Sequence, residues 1–192
     1  VNFRNTSPDY INSVSQAFAD SAIVDNAFIL NSLKAYFDRG FASVQGYRLP
    51  DDERGRIMTD IIKPNEGKML LIDMWATTCG PCRSYIKASA GKRKANLNHP
   101  DFKYIFLTGE EESPEEDYIS YVAKYLAGEE CHRLPQSDFN RLRDLFNFSG
   151  IPRYILIDRN GTIIDDNYAP YNLEEDLSQR GISLNAPAEE LD

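Results

Sequence analysis

Two cysteines stand three positions apart in "WATTCGPCRSY" (residues 75–85), with Gly80 and Pro81 between them. That spacing admits three uses: a metal site, a structural staple, or electron exchange with other thiols. The chain holds three cysteines in all, Cys79, Cys82 and Cys131. An odd, sparse count does not make a disulfide scaffold. A bridge closing so short a loop constrains the unfolded chain very little, which argues against a staple. Zinc wants four ligands, and a second Cys-x-x-Cys is missing. The remaining candidates are Cys131, its neighbour His132, and His99. Adjacent residues are poorly spaced as ligands, and no fourth group suggests itself. Electron exchange is the use that the pair supports best.

That chemistry needs a thiolate, the nucleophile of disulfide exchange. The apolar run "KMLLIDMWA" (residues 68–76) reads as a buried strand, and residues 80–97 read as a helix. Cys79 then falls just past the strand, at the start of the helix. Unpaired backbone N–H groups and the helix dipole favour a thiolate there. Activated cysteines have pKa values of roughly 3.5 to 7.5, against about 8.5 for a free one. Cys82 sits one turn further on and can attack a mixed disulfide formed at Cys79, releasing the partner. Gly80 permits a close approach, and Pro81 fixes φ without needing its own N–H. Asp73 lies on the strand, six residues before Cys79. An ionised carboxylate is costly to bury in an apolar strand, so its pKa should rise toward neutrality. Such an acid can exchange a proton with Cys82, directly or through a water. The alternative is an Asp at a strand edge, facing solvent.

The elements around the pair alternate. "FKYIFLTG" (residues 102–109) reads as a second strand. Ser113 is placed to cap a helix, with Pro114 at its first position and Glu115, Glu116 and Asp117 in the first turn, where the dipole favours acids. That helix ends near Gly128. "SDFNRLRDLFNF" (residues 137–148) reads as a third helix. "RYILID", the turn "RNG" and "TIID" (residues 153–165) read as a hairpin. "NLEEDLSQRG" (residues 172–181) reads as a last helix, capped by Asn172 and closed by Gly181, and the tail beyond it as frayed. Strands joined through helices need parallel pairing, and the hairpin adds antiparallel strands. The predicted class is α/β: a mixed central sheet with helices on both faces. The basic run "GKRKAN" (residues 91–96) and the acidic run "GEEESPEED" (residues 109–117) both read as solvated helix faces.

Residues 1–62 read as a helical extension and linker, with the main domain over residues 63–192. "SPDYINSVSQAFADSA" offers Ser7 as a cap and Pro8 at the first helical position, with Ile11, Val14, Ala17 and Phe18 at helical spacing. "IVDNAFILNSLKAYFDRG" continues the pattern to Gly40. "GYRLPDDERGR" (residues 46–56) has the turn residues and charge of a linker. The helices serve either as a partner surface or as packing against the main domain.

Composition bounds the partners. The 192 residues carry a net charge of −9. So acidic a surface repels phosphate backbones and anionic membranes, so nucleic acid and lipid are not expected partners. No apolar run reaches the roughly 20 residues of a membrane helix. The chain starts at Val1 rather than Met, which reads as a processed or truncated start, with room for an export signal lost from it.

"LLIDMWATTCGPC" resembles the active-site segment of the thioredoxin superfamily, where a buried strand runs into Trp-x-x-x-Cys-Gly-Pro-Cys. "SGIPRYILID" is similar to that family's Gly-Ile-Pro loop. The likeness covers residues 66–181 and rests on both segments and the element order. It implies a thioredoxin-like fold and a thiol-disulfide oxidoreductase, with Cys79 as nucleophile, Cys82 as resolving cysteine and Asp73 as the buried acid. It implies a cis bond at Pro152, with the backbone of Ile151 offered to an extended substrate by strand addition. Trp75 matches an aromatic near the site, or is plain core. Thr78 and Arg153 depart from the commoner aromatic and Thr, and would line the substrate surface with Gly80 and Pro81. An inward Arg153 would help hold a thiolate at Cys79. The long insertion before the Gly-Ile-Pro loop is similar to the exported TlpA/ResA-like branch, which carries an extra strand and helix there. That implies a periplasmic or otherwise exported protein. Expected partners are proteins with disulfides and a thiol electron donor; no cofactor is called for. Gly-Pro between the cysteines resembles reducing members, while the direction also depends on thiolate stability and the donor. The alternative is a non-catalytic thioredoxin-like module whose N-terminal helices dock a partner. A peroxidase ranks last. Cys131 is either a packed thiol or a third redox site.

Overall fold

The structure is a computed structural model, and it describes residues 46–187. The helices expected before residue 46 lie outside the described residues. Arg48–Asp192 form one compact unit.

A helix opens this unit where the sequence reads as a linker. It is α1, Glu53–Ile62, and the Asp52 carboxylate caps it by accepting from the Gly55 N–H at 3.0 Å. Met58, Ile61 and Ile62 are buried on one side, and Ile57 is half-buried. The charges that suggest a linker occupy its outer face. Gly55 is required: a Cβ there would overlap the Pro50 carbonyl.

Then come β1 (Met69–Met74), α2 (Gly80–Ala88), α3 (Ala90–Ala95), β2 (Phe102–Gly109), α4 (Glu115–Tyr125), β3 (Glu130–Leu134), α5 (Gln136–Leu145), β4 (Arg153–Ile157), β5 (Ile163–Asp165) and α6 (Leu173–Gln179). The five strands form one sheet in the order β3-β2-β1-β4-β5. β1 pairs parallel to β2 and antiparallel to β4, and β2 pairs parallel to β3. The hairpin of β4 and β5 closes through Asp158, whose Oδ1 accepts from the N–H groups of Asn160 and Thr162.

β1 is buried along its whole length, as a central strand covered on both faces must be. Alternation splits it. Met69 and Leu71 join a core with Cys82 and Ile86 of α2, Tyr121 of α4 and Leu173 and Leu177 of α6. Leu70, Ile72 and Met74 point the other way, to the face covered by α5 and α1. Helices therefore lie on both faces of a mixed sheet, as the element order predicts.

Three local readings change. β3 falls in "GEECHRLP", which shows no strand periodicity, because an edge strand of half-buried residues has neither a buried run nor a clean alternation. It is the extra strand that the resemblance implied. The helix expected over residues 80–97 breaks at Ser89, whose hydroxyl donates to the Tyr85 carbonyl at 2.8 Å and competes with the backbone ladder. The basic run is not a solvated face throughout: Arg93 is 2% exposed, sandwiched in the core.

Candidate active site

The strand end and the helix start place the cysteines as their spacing suggests. β1 stops at Met74, and Cys79 caps α2, its Sγ accepting from the Cys82 N–H at 3.2 Å. The two sulfurs are joined in a disulfide, with the Cα atoms 5.3 Å apart. The cysteines are unequal. Cys79 is half-buried among the exposed residues Thr78, Gly80 and Pro81, whereas Cys82 is 0% exposed. An incoming thiolate can therefore reach only Cys79.

Facing Cys79 is a distant part of the chain. The Ile151–Pro152 peptide bond is cis, and the Ile151 carbonyl oxygen lies 3.7 Å from the Cys79 Sγ. Both residues are half-buried.

Asp73 is not at a solvent edge. It is 1% exposed, and neither carboxylate oxygen has a hydrogen-bond partner among the described residues. Its cross-strand neighbours are Phe106 and Tyr154, both part of the apolar core. Alternation aims it at the same face as Leu71, the face that Cys82 covers. Burial pushes its carboxyl up to about 8, against the pull of the Arg93 cation.

Trp75 is fully buried, its ring tilted against that of Tyr121 with centroids 5.1 Å apart. It is part of the core that also holds Cys82. The Arg153 guanidinium donates to the Asp166 backbone carbonyl and, at 3.2 Å, to the Phe146 carbonyl; it also pairs with the Asp166 carboxylate and lies over the Phe148 ring. That arrangement braces the loop before Pro152. Cys131 packs against the core from β3, and burial pushes its thiol up to about 12. At neutral pH it is a thiol, not a nucleophile. Among the described residues no group of three or more His, Cys, Asp or Glu side chains is placed to hold a metal ion, and no helix is long and apolar enough to cross a membrane.

Sequence reasoning misses the residues that hold the turn before Cys79. Ser113 does not cap α4, which begins after Pro114 with no side-chain cap. Its hydroxyl instead accepts from the Thr77 N–H at 2.9 Å and shares a hydrogen bond with Thr108. "SPEED" is a faithful helix-start pattern, and nothing in it signals a long-range partner.

No family model matches the chain. Solved structures do. The thioredoxin domain of a thiol-disulfide oxidoreductase from Bacteroides vulgatus superposes with a TM-score of 0.54 at 19% identity, covering 62% of this chain and 83% of its own. A thiol:disulfide interchange protein from Bacteroides sp. gives 0.52 at 20% identity, covering 64% and 76%. A further Bacteroides vulgatus protein, provisionally assigned as a thiol-disulfide oxidoreductase, gives 0.52 at 27% identity, covering 62% and 78%. This chain has a thioredoxin fold. Within the curated proteins, the thioredoxin-fold chain is 27% identical over 106 residues to the Arabidopsis thaliana protein named probable nucleoredoxin 1. That match takes in 53% of this chain and spans only 17% of the plant protein's length. The thioredoxin-fold domain thus shares its architecture with thiol-disulfide oxidoreductases and carries a Cys79–Cys82 disulfide at the end of β1.

Proposed function

We propose that the protein is a thiol-disulfide oxidoreductase that reduces disulfides in other proteins. The observation that carries this reading is the asymmetry of the pair: Cys79 is reachable at a helix start, 3.7 Å from the Ile151 carbonyl, and Cys82 is sealed beneath it. In the reduced protein, the Cys79 thiolate attacks one sulfur of a substrate disulfide. A mixed disulfide forms, and the other substrate sulfur leaves as a thiolate. Asp73, in its ionised fraction, takes the proton from Cys82, and the Cys82 thiolate then attacks the Cys79 sulfur. The Cys79–Cys82 disulfide forms, the second substrate sulfur leaves, and two electrons have passed to the substrate. A thiol donor returns the pair to its reduced state.

The substrate segment adds along Ile151 as an extended strand, and Thr78, Gly80 and Pro81 line its path. Exposure of those residues supports this placement. The Gly-Pro spacer supports the reducing direction, and the likeness to the TlpA/ResA-like branch supports work outside the cytoplasm. Insulin reduction with dithiothreitol as donor tests the activity: the intact protein should precipitate insulin and Cys79→Ser should not. An inactive intact protein ends the reading. The reduction potential of the pair tests the direction, and a markedly oxidising value would make the protein a disulfide donor.

A further inference from the structure

Glu112 belongs to the acidic run that the sequence presents as solvated, yet only a fifth of its side chain is exposed. Its backbone and its carboxylate serve opposite sides of the site. The Glu112 carbonyl accepts from the hydroxyls of Thr78 at 3.2 Å and Thr77 at 3.4 Å, in the turn that leads into Cys79. Its carboxylate Oε1 accepts from Nη2 of Arg143 at 2.8 Å. Arg143 Nη1 then donates to the Ser149 carbonyl at 2.9 Å, two residues before Ile151. Ile151 closes the circuit by facing the Cys79 sulfur. We propose that the Glu112–Arg143 pair is a positioning device: it sets the separation between the cysteine turn and the Ile151 segment beside which a disulfide-bearing protein strand adds. This proposal rests on the reading given above.

Two features separate this pair from an ordinary surface salt bridge. Glu112 is packed close against the main chain. A Cβ at Gly109 would overlap Glu112 Oε2 and stand 2.6 Å from the Gln136 side-chain oxygen that holds the Glu111 N–H. The guanidinium is also flanked by the rings of Phe139 and Phe148, at 5.1 and 5.7 Å. The second feature is the geometry of the pair. Arginine and carboxylate gain most from two parallel hydrogen bonds. Here Glu112 Oε2 and Arg143 Nε are buried without partners. One guanidinium, held to Glu112 through Nη2 and to the Ser149 carbonyl through Nη1, joins the two loops.

The test compares Arg143→Met, Glu112→Gln and the double variant Glu112→Ala/Arg143→Met with the intact protein. Insulin is the strand-seating substrate, and oxidised glutathione is a small disulfide with no strand to seat. Arg143→Met should raise KM for insulin about tenfold, the scale of one charge-assisted hydrogen bond. Exchange with oxidised glutathione should fall far less, and the equilibrium of the pair with glutathione should not move. Glu112→Gln, which keeps an acceptor, should show a smaller rise, and the double variant should do no worse than Arg143→Met. Equal losses on both substrates, or an unchanged KM for insulin, overturn the proposal. Amide hydrogen exchange supplies a readout independent of turnover. The Ile151 N–H should exchange faster in Arg143→Met while that of Ile72, in the central strand, does not change. If the intact protein fails to reduce insulin, the functional reading falls, and the exchange rates alone decide whether the brace exists. Should Arg143→Met not fold, the same two measurements on Glu112→Gln decide it.

Discussion

Two buried charged sites lie on the same face of the sheet, and they are treated in opposite ways. Arg93 is 2% exposed and every donor group of it is engaged. Its Nε donates to Ser89 Oγ at 3.1 Å, Nη1 to the Glu129 carboxylate at 2.7 Å, and Nη2 to the carbonyls of Ile86 and Tyr125. Asp73 is equally buried and has no partner at all among the described residues. A satisfied ion can stay charged in the interior; an orphaned carboxyl is driven to hold a proton. The first site ties α3 to the end of α4. The second is left free to gain and lose a proton under the cysteine pair. Burial does not separate the two sites; the hydrogen-bond partners do.

The largest test of that contrast is on the paired site. Arg93→Met leaves the Glu129 carboxylate buried and unpaired, and should cost about 3–5 kcal/mol in denaturant unfolding. Adding Glu129→Leu should restore most of it. A single variant as stable as the intact protein would erase the distinction between the two sites. Next in size is the effect of Asp73 on turnover. Asp73→Ala should slow release of the mixed disulfide by about 100-fold, the low end for a positioned proton acceptor. The trapped adduct with substrate should accumulate and be visible by mass spectrometry.

The pH dependence of stability comes third. The Asp73 carboxyl titrates near 8 in the fold against 3.8 ordinarily. Between those values the folded chain holds a proton that the unfolded chain has lost. Its contribution is therefore complete below about pH 4 and is lost as pH rises toward 8, at up to about 1.4 kcal/mol per pH unit. Asp73→Asn should flatten that slope in urea melts at pH 5 and pH 8. Removing the Arg93 charge should instead extend it to higher pH, since that cation pulls the Asp73 pKa down. Smallest of all is Cys131→Ala. It should change stability by about 1 kcal/mol or less and leave insulin reduction untouched. A marked loss of activity would restore the idea of a third redox site.

The legible parts of the fold are those whose signal is local. "MLLID", "FKYIFLTG" and "RYILI" are runs that only buried strands explain, and they became β1, β2 and β4. The helix start near Pro114 was readable to within a residue, from a proline followed by three acids, although Pro114 stands just before the first turn and not in it. β3 was not, since its half-buried, polar residues are a strand only by pairing with β2. α1 was masked by its outer charges, although Met58, Ile61 and Ile62 already held one face. At the site, Asp73 was legible as an oddity within an apolar run. Glu112, Ser113 and Arg143 were not, because each acts on a residue far away in sequence and sits in a stretch whose local pattern is an ordinary charged helix or its start.

What the chain determined by itself was the cysteine pair at a helix start. Three residues of spacing, a glycine and a proline set that geometry within a single turn, where near neighbours have nowhere else to go. Tertiary structure decided the rest: which sulfur meets solvent, that Ile151 stands opposite Cys79, and that Asp73 is left without a partner while Arg93 is not. Those outcomes depend on strand order and on which helix covers which face of the sheet. Such contacts join distant segments, and no local pattern carries them.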